Sequence, residues 1–316
     1  MIISRITMGL GNQMFKYAAG KALSIEKKVP FKVDISSYEG YKLRKYELDT
    51  LFNIDTEKAS KKELEEIFFT NPIKRVWNKI FSKKLRMLGL GYEEALLPRT
   101  ILTAYNLVSS PEKRKIYEEP HYHFHKSFFK ASGNTYLNGY WMSWKYFQKY
   151  EKEIRKEFTI RENLVNHLDE ISSIIQSKNS VSIHIRRGDF TTKRNVELHG
   201  VIPIDFYKKA IEVISQKISN IELFVFSDDI EWVKENLISR FPVTFISNDV
   251  TKNALEDFYL MTVCKHNIIA NSTFSWWAAW LNSNTDKIII APKKWYNTSQ
   301  FNYKDVYPIS WIIIDH

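Results

Sequence analysis

The chain has 316 residues, room for about two domains, and 44% hydrophobic residues with only 10 Gly and 9 Pro exclude a low-complexity or disordered protein. A lone cysteine, Cys264, excludes an intrachain disulfide and fits a reducing compartment, and no run approaches the roughly 18 apolar residues of a membrane span, so a cytoplasmic protein is expected. The net charge of +10 leaves nucleic acid, an anionic membrane surface and an anionic substrate open as partners.

The chain opens as a strand, MIISRIT, a turn at Gly9-Leu10-Gly11-Asn12, a helix from Met14, and a second strand, VPFKVDIS. Gly9-x-Gly11 with Asp34 resembles a dinucleotide fingerprint, although Met14 stands at the third glycine position. The same turn also reads as a plain strand-to-helix connection. A third reading brings backbone amides and Asn12 to a phosphate or sugar at the helix start.

Residues 60 to 120 read as helical and basic without a clear topology. Between Glu66 and Glu93 there is no acid, and Lys74, Arg75, Lys79, Lys83, Lys84 and Arg86 accumulate. With Ile73, Val76, Trp77, Ile80 and Phe81 on one face, Lys74–Arg86 reads either as a membrane-surface helix or as a solvated basic face over a core stripe. His121, His123 and His125 alternate as metal ligands on a strand would, but no acid or cysteine cluster completes them, and ordinary histidines on a strand edge explain them equally. LNGYWMSWKYF leads toward a second domain, with boundaries expected at 1–160 and 161–316. Through residue 158 there are 29 Lys+Arg against 18 Asp+Glu, net +11; the remainder has 17 against 18, net −1.

The second half alternates regularly. Val181, Ile183 and Ile185 make a period-two strand, and Pro203 opens a helix with a stripe of Ile204, Tyr207, Ile211 and Ile214. IELFVFS, VTFIS, HNIIA and KIIIAP read as strands. SDDIEWVKENL, NALEDFYLMTVC and STFSWWAAWLN read as helices, the first capped by Ser227 or Asp228. This predicts an α/β domain with a mostly parallel sheet covered on both faces. Ligands in such sheets bind beyond the carboxyl ends of the strands. Arg186 to Asp189, Ser227 to Asp229, Ser247 to Asp249 and Asn271 to Thr273 all fall there.

Within His184-Ile185-Arg186-Arg187-Gly188-Asp189, alternation puts His184 and Arg186 on one side. An arginine at a sheet end suits phosphate through its fixed fork; pairing with Asp189 is the structural alternative. There is no GxxxxGK[ST] loop and no HExxH, and Ser227-Asp228-Asp229 is not a DxD motif, so no obligatory Mg²⁺ or Mn²⁺ is expected.

Four blocks together resemble glycosyltransferase family 11, the α-1,2-fucosyltransferases: Gly9 to Phe15, His184 to Phe190, Phe226 to Asp229, and Asp257 to Met261 continuing through Cys264, His266 and Thr273 to Trp277. The first two are also similar to α-1,6- and protein O-fucosyltransferases. The resemblance implies a GT-B-like fold: two Rossmann-like domains, the nucleotide-sugar site in the C-terminal one, and an interdomain cleft. It implies inverting transfer of L-fucose from GDP-β-L-fucose, without a cofactor, to O2 of a terminal galactose. By that similarity Arg186 holds the diphosphate, and Asn12 with the Gly11 backbone approaches the β-phosphate or fucose. Asp257 pairs with guanine, Ser272, Thr273 and Phe274 line the nucleotide pocket, and His184 and Asp228 join the donor-binding set.

The acceptor hydroxyl must lose a proton, and Asp189, Glu197 and His199 are the candidate bases. The family commonly has Gln and Glu where this chain has Met142 and Trp144, a block that would face the acceptor. An NAD-linked oxidoreductase built on Gly9, Gly11 and Asp34 leaves the Arg186 and Asp257 blocks without a role. A nucleic-acid-binding protein explains the basic half but not the neutral sheet. The basic half is instead expected to meet a lipid-linked glycan at the inner face of the plasma membrane, with Lys74–Arg86 docking there.

Overall fold

The computed structural model describes residues 1–39, 44–68, 115–120, 122–247, 249–298 and 302–316, without the side chains of Phe68, Asp189 and Arg194. Lys74–Arg86 and His121 therefore lie outside the described residues. The chain divides into two compact units, residues 1–50 with 54–157, and residues 51–53 with 158–316.

Among the described residues, the first unit carries a four-stranded parallel sheet. Its strands are β1 (Ile2–Arg5), β2 (Phe31–Asp34), β3 (Ile116–Glu118) and β4 (Thr135–Asn138), in the order β2-β1-β4-β3. The helix after β1 runs Leu10–Lys27 and buries Met14, Phe15, Tyr17, Ala18, Ala19, Ala22 and Leu23. It starts four residues before the expected Met14, with Gly9 as the residue preceding it. Gly11 and Asn12 therefore belong to the first helical turn, and the Asn12 N–H is given to the Gly9 carbonyl. The helix ends at Lys28, which turns left-handed (φ 54), while the next N–H, of Val29, reaches back to Ser24 O.

Asp34 ends β2 but is buried. Its carboxylate accepts the Tyr136 hydroxyl at 2.6 Å and the Ser36 N–H at 2.9 Å. The acid that a dinucleotide site would offer to a ribose is thus consumed inside the sheet, which corrects the NAD alternative. Strands β3 and β4, with three and four residues, are too short to display a period in the sequence.

The second unit has a six-stranded parallel sheet: β5 (Asn179–Ile185), β6 (Ile221–Ser227), β7 (Val243–Ile246), β8 (His266–Ile268), β9 (Ile289–Pro292) and β10 (Ile312–Ile314). The order is β10-β9-β8-β5-β6-β7. From β5 the chain steps outward through β6 and β7, then returns to the other side of β5 with β8 and steps outward again. This is the doubly wound order, and the winding reverses between β5 and β8. Val181, Ile183 and Ile185 pack with Phe206, Tyr207, Ala210, Ile211 and Ile214 of the helix Ile204–Ser215.

On the other side, a buried polar chain is closed on itself. Asn267 Nδ2 donates to Ser182 Oγ (2.7 Å) and Met261 O (2.9 Å), and Asn282 Nδ2 donates to Asn267 Oδ1 (2.8 Å) and Cys264 O (2.7 Å).

The helix Ile230–Asn236 is preceded by Asp229, and neither Ser227 nor Asp228 caps it. Ser227 Oγ instead accepts the Asp229 N–H, and Asp228 is drawn to the arginines described below. The helix Ala254–Val263 is capped as expected of Asn, whose Oδ1 accepts the Leu255 and Glu256 N–H groups.

Candidate functional site

The switch point of the second sheet is where an open α/β sheet offers a crevice at its strand ends. Here β5 delivers Arg186, β6 delivers Asp228, and β8 runs through Asn271 into the helix Thr273–Leu281. The structure thus gathers His184, Arg186, Asp228, Ser272, Thr273 and Phe274 along the carboxyl ends of three adjacent strands.

Arg186 Nη1 donates to Asp228 Oδ2 at 2.7 Å, and its guanidinium lies 5.5 Å from the Phe190 ring centre. Arg187 is held differently. Its Nε donates to Asp229 Oδ2 at 3.1 Å, and its guanidinium lies 3.4 Å from the ring centre of Trp232. The Arg187 main-chain N–H donates to Asp228 Oδ1 at 2.8 Å. Asp228 is thus a carboxylate partner of Arg186 that the sequence did not indicate. The side chain of Asp189 lies outside the described residues; its backbone forms the short turn Gly188–Thr191.

His184 is buried, and burial followed by the Arg186 charge lowers its pKa to about 3, so the ring is neutral. Among the described residues Nδ1 has no hydrogen-bond partner. The ring lies 5.8 Å from that of Phe274, which packs at 5.3 Å on Phe258. Asp257 precedes Phe258 on the helix Ala254–Val263. Its Oδ1 accepts the Thr251 hydroxyl at 2.7 Å. Burial, opposed by that hydrogen bond and aided by the Glu256 charge, raises its pKa.

The helix Thr273–Leu281 begins after Ser272, which makes no side-chain cap. The first amides of such a helix point toward an anion and carry the positive end of its dipole. Asn271 is the residue that sequence reasoning left out of the site proper. Its Nδ2 donates to His199 O at 2.8 Å and lies 3.4 Å from Gly200 O and 3.3 Å from Trp295 O. It ties the end of β8 to the loops after β5 and β9. A buried asparagine between a strand and a helix start was the available signal.

His199 stacks on Phe190 at 4.8 Å and lies 5.3 Å from Tyr296. Glu197 is exposed on the short helix Lys193–Leu198.

In the first unit, Gly11 and Asn12 stand past the end of β1. Beside Asn12, Gln13 is fully used: Nε2 donates to Met8 O (3.0 Å) and Lys45 O (2.8 Å), and Oε1 accepts the Glu47 N–H (3.0 Å). Met142 is buried. Just past β3, Glu119 Oε2 accepts the N–H groups of Tyr140 (2.6 Å) and Trp141 (2.9 Å). Burial raises its pKa to about 7 against those two bonds and the Lys16 charge. His123 and His125 stack at 4.7 Å. Among the described residues no group of three or more His, Cys, Asp or Glu is arranged to hold a metal ion, and no helix is long and apolar enough to cross a membrane.

Comparison with known proteins bears on this site. The family description Glycosyl transferase family 11 matches residues 2–315. An alpha-1,2-colitosyltransferase of Escherichia coli is 35% identical over 325 residues, covering 100% of this chain and 99% of its own. The O-antigen biosynthesis glycosyltransferase WbnK, also of Escherichia coli, is 32% identical over 310 residues, covering 93% and 94%. Among solved structures, the NodZ alpha-1,6-fucosyltransferase of Bradyrhizobium, soaked with GDP-fucose, superposes with a TM-score of 0.51. It is 15% identical and covers 89% of this chain and 91% of its own, a likeness of fold.

Proposed function

The chain belongs to glycosyltransferase family 11, and we propose that it transfers L-fucose from GDP-β-L-fucose, with inversion, to O2 of a terminal galactose on a glycan. The observation that carries this reading is the juxtaposition at the switch point: Arg186 at the end of β5, and the amino end of the helix Thr273–Leu281 after the neighbouring strand β8. Departure of GDP leaves negative charge on the β-phosphate. A fixed guanidinium and helix amides stabilise that charge without a metal ion. Asp257, at the head of its helix, accepts guanine N–H groups through the oxygen that Thr251 does not occupy, and Ser272, Thr273 and Phe274 line the nucleotide site. The neutral His184 imidazole donates or accepts a hydrogen bond there without adding charge. Asn12 and the Gly11 backbone serve the donor from the first unit, whose principal task is the acceptor. Asp189 and His199 remain the proposed groups for the acceptor proton.

The colitosyltransferase relative makes the donor sugar the discriminating question. Colitose differs from fucose by lacking the 3-hydroxyl. A site that hydrogen-bonds that hydroxyl rejects the deoxy sugar strongly, because its own polar groups are left unpaired. The test is incubation with GDP-fucose and GDP-colitose in parallel against a galactoside panel, with products identified by mass and linkage. Fucosyl products at O2 of galactose are expected. Transfer from GDP-colitose alone overturns the donor, and a linkage to another hydroxyl overturns the acceptor position.

The +11 excess through residue 158 fits a lipid-linked acceptor at an anionic membrane surface. Cosedimentation with anionic liposomes at low salt, absent with neutral ones, is the expected result; no binding to either refutes it.

A further inference from the structure

An ionised carboxylate only accepts hydrogen bonds, so Asp228 cannot be a ligand of a diphosphate and would stand beside one as a like charge. Its place in the fold is toward arginine. Oδ2 takes Arg186 Nη1 at 2.7 Å, and Oδ1 takes the Arg187 main-chain N–H at 2.8 Å. Gly188 makes room for this: a Cβ at that position would lie 2.3 Å from Asp228 Oδ2. The two acids after β6 are divided between the two arginines after β5, because the Arg187 guanidinium is held by Asp229 and Trp232. The Arg186–Asp228 pair is a quarter exposed on each side, 25% and 26%, so an incoming anion can reach it from water.

We propose that Asp228 is the resident counter-ion of Arg186, holding the guanidinium in place in the empty site and competing with the diphosphate for it, so that GDP leaves after transfer. This rests on the reading of Arg186 as the diphosphate ligand. A site whose competent state is only fractionally populated binds more weakly by that fraction. While Arg186 is engaged by Asp228, part of its charge is spent. The carboxylate therefore lowers the affinity for GDP, in return for an arginine that is already aimed.

The test is the Kd of GDP, measured by titration calorimetry on the full chain, for wild type, Asp228→Asn, Gly188→Ala and Arg186→Ala. Asparagine keeps the size and one acceptor oxygen but removes the charge. GDP is expected to bind Asp228→Asn about tenfold tighter, as for a competitor that occupies the arginine roughly nine-tenths of the time. Gly188→Ala displaces the carboxylate by contact while leaving every charge in the chain, and tightening in the same direction is expected. A merely structural role for Asp228 gives a loss of affinity, not a gain. If Arg186→Ala weakens GDP while neither of the other variants tightens it, the counter-ion role is wrong and the diphosphate reading stands. If Arg186→Ala leaves the affinity unchanged, the diphosphate reading itself is wrong. Should Asp228→Asn fail to fold, the sign of the Gly188→Ala effect decides.

Discussion

The Arg187 guanidinium lies 3.4 Å from the ring centre of Trp232 with its Nε on Asp229, whereas its neighbour Arg186 turns to Asp228 at the end of β6. The two adjacent arginines are thus held by different partners. Arg186→Ala is expected to lower the transfer rate by about 10²-fold or more, the scale for removing a preorganised donor to developing charge. Arg186→Lys should fall nearly as far, since lysine lacks the planar fork. Arg187→Ala should act on stability, lowering the midpoint of thermal unfolding. Steady-state kinetics and melting curves on all three variants separate the effects. Near-normal turnover in a folded Arg186→Ala protein refutes the assignment.

Nucleotide choice tests Asp257. GDP is expected to raise the melting temperature more than ADP or UDP at equal concentration, because a carboxylate accepts paired N–H groups from guanine that adenine does not offer. Thr251→Val removes the hydroxyl that Asp257 Oδ1 accepts and so frees the carboxylate to turn. The preference for GDP over ADP should narrow in that variant by about a factor of ten, the worth of roughly one charged hydrogen bond. Equal stabilisation by ADP and GDP in the wild type sinks the guanine role. In the same series, EDTA should leave transfer intact, and loss of activity restored by Mn²⁺ sinks the metal-independent reading.

The second sheet was legible because β5 alternates with period two, β6 and β9 are compact apolar runs, and the helices between the strands show their stripes. The reversal of winding was not legible, since strand order depends on which neighbour β8 chooses rather than on its own sequence. Nor was the helix start at Leu10, where two glycines argued for a loop and the packing of Leu10 and Met14 overrode them. Arg186 could be named from its place after a strand. Its contact with Asp228 could not, because that acid is close only in space.

Glu119 makes stability depend on pH in an unusual direction. Its folded pKa of about 7 lies above the ordinary 4.5, chiefly through burial. Between those values the native state binds more protons than the unfolded one, so stability falls as pH rises. The contribution is complete below about pH 4.5 and lost by the time the pH passes through about 7. Glu119→Gln keeps an oxygen for the Tyr140 and Trp141 N–H groups without the charge. It is expected to melt several degrees above wild type at pH 8, and the advantage should vanish at pH 5. An advantage that is constant across the range shows that ionisation of Glu119 is not the cause.

Gly20 decides between two opposed effects. It lies within the helix Leu10–Lys27, where replacing glycine by alanine ordinarily stabilises by about 1 kcal/mol through lower backbone entropy in the unfolded chain. Here an added Cβ would fall 2.5 Å from a ring carbon of Phe31 on β2 and 2.8 Å from Ser4 Cβ on β1. Both neighbours are fixed. Ser4 Oγ donates to Lys16 O of the same helix at 2.7 Å, and the Phe31 ring packs edge-on against Tyr17 at 5.1 Å. Overpacking of this kind costs about 1–3 kcal/mol, so steric strain should exceed the gain in propensity. Gly20→Ala is therefore expected to destabilise by up to about 2 kcal/mol, read as a lower urea midpoint with an unchanged slope. Gly20→Ala with Phe31→Leu should recover part of that loss, because the contacting ring is gone. If the single variant is more stable than wild type, the close approach of this helix to β1 and β2 is wrong, and the propensity term alone governs the position.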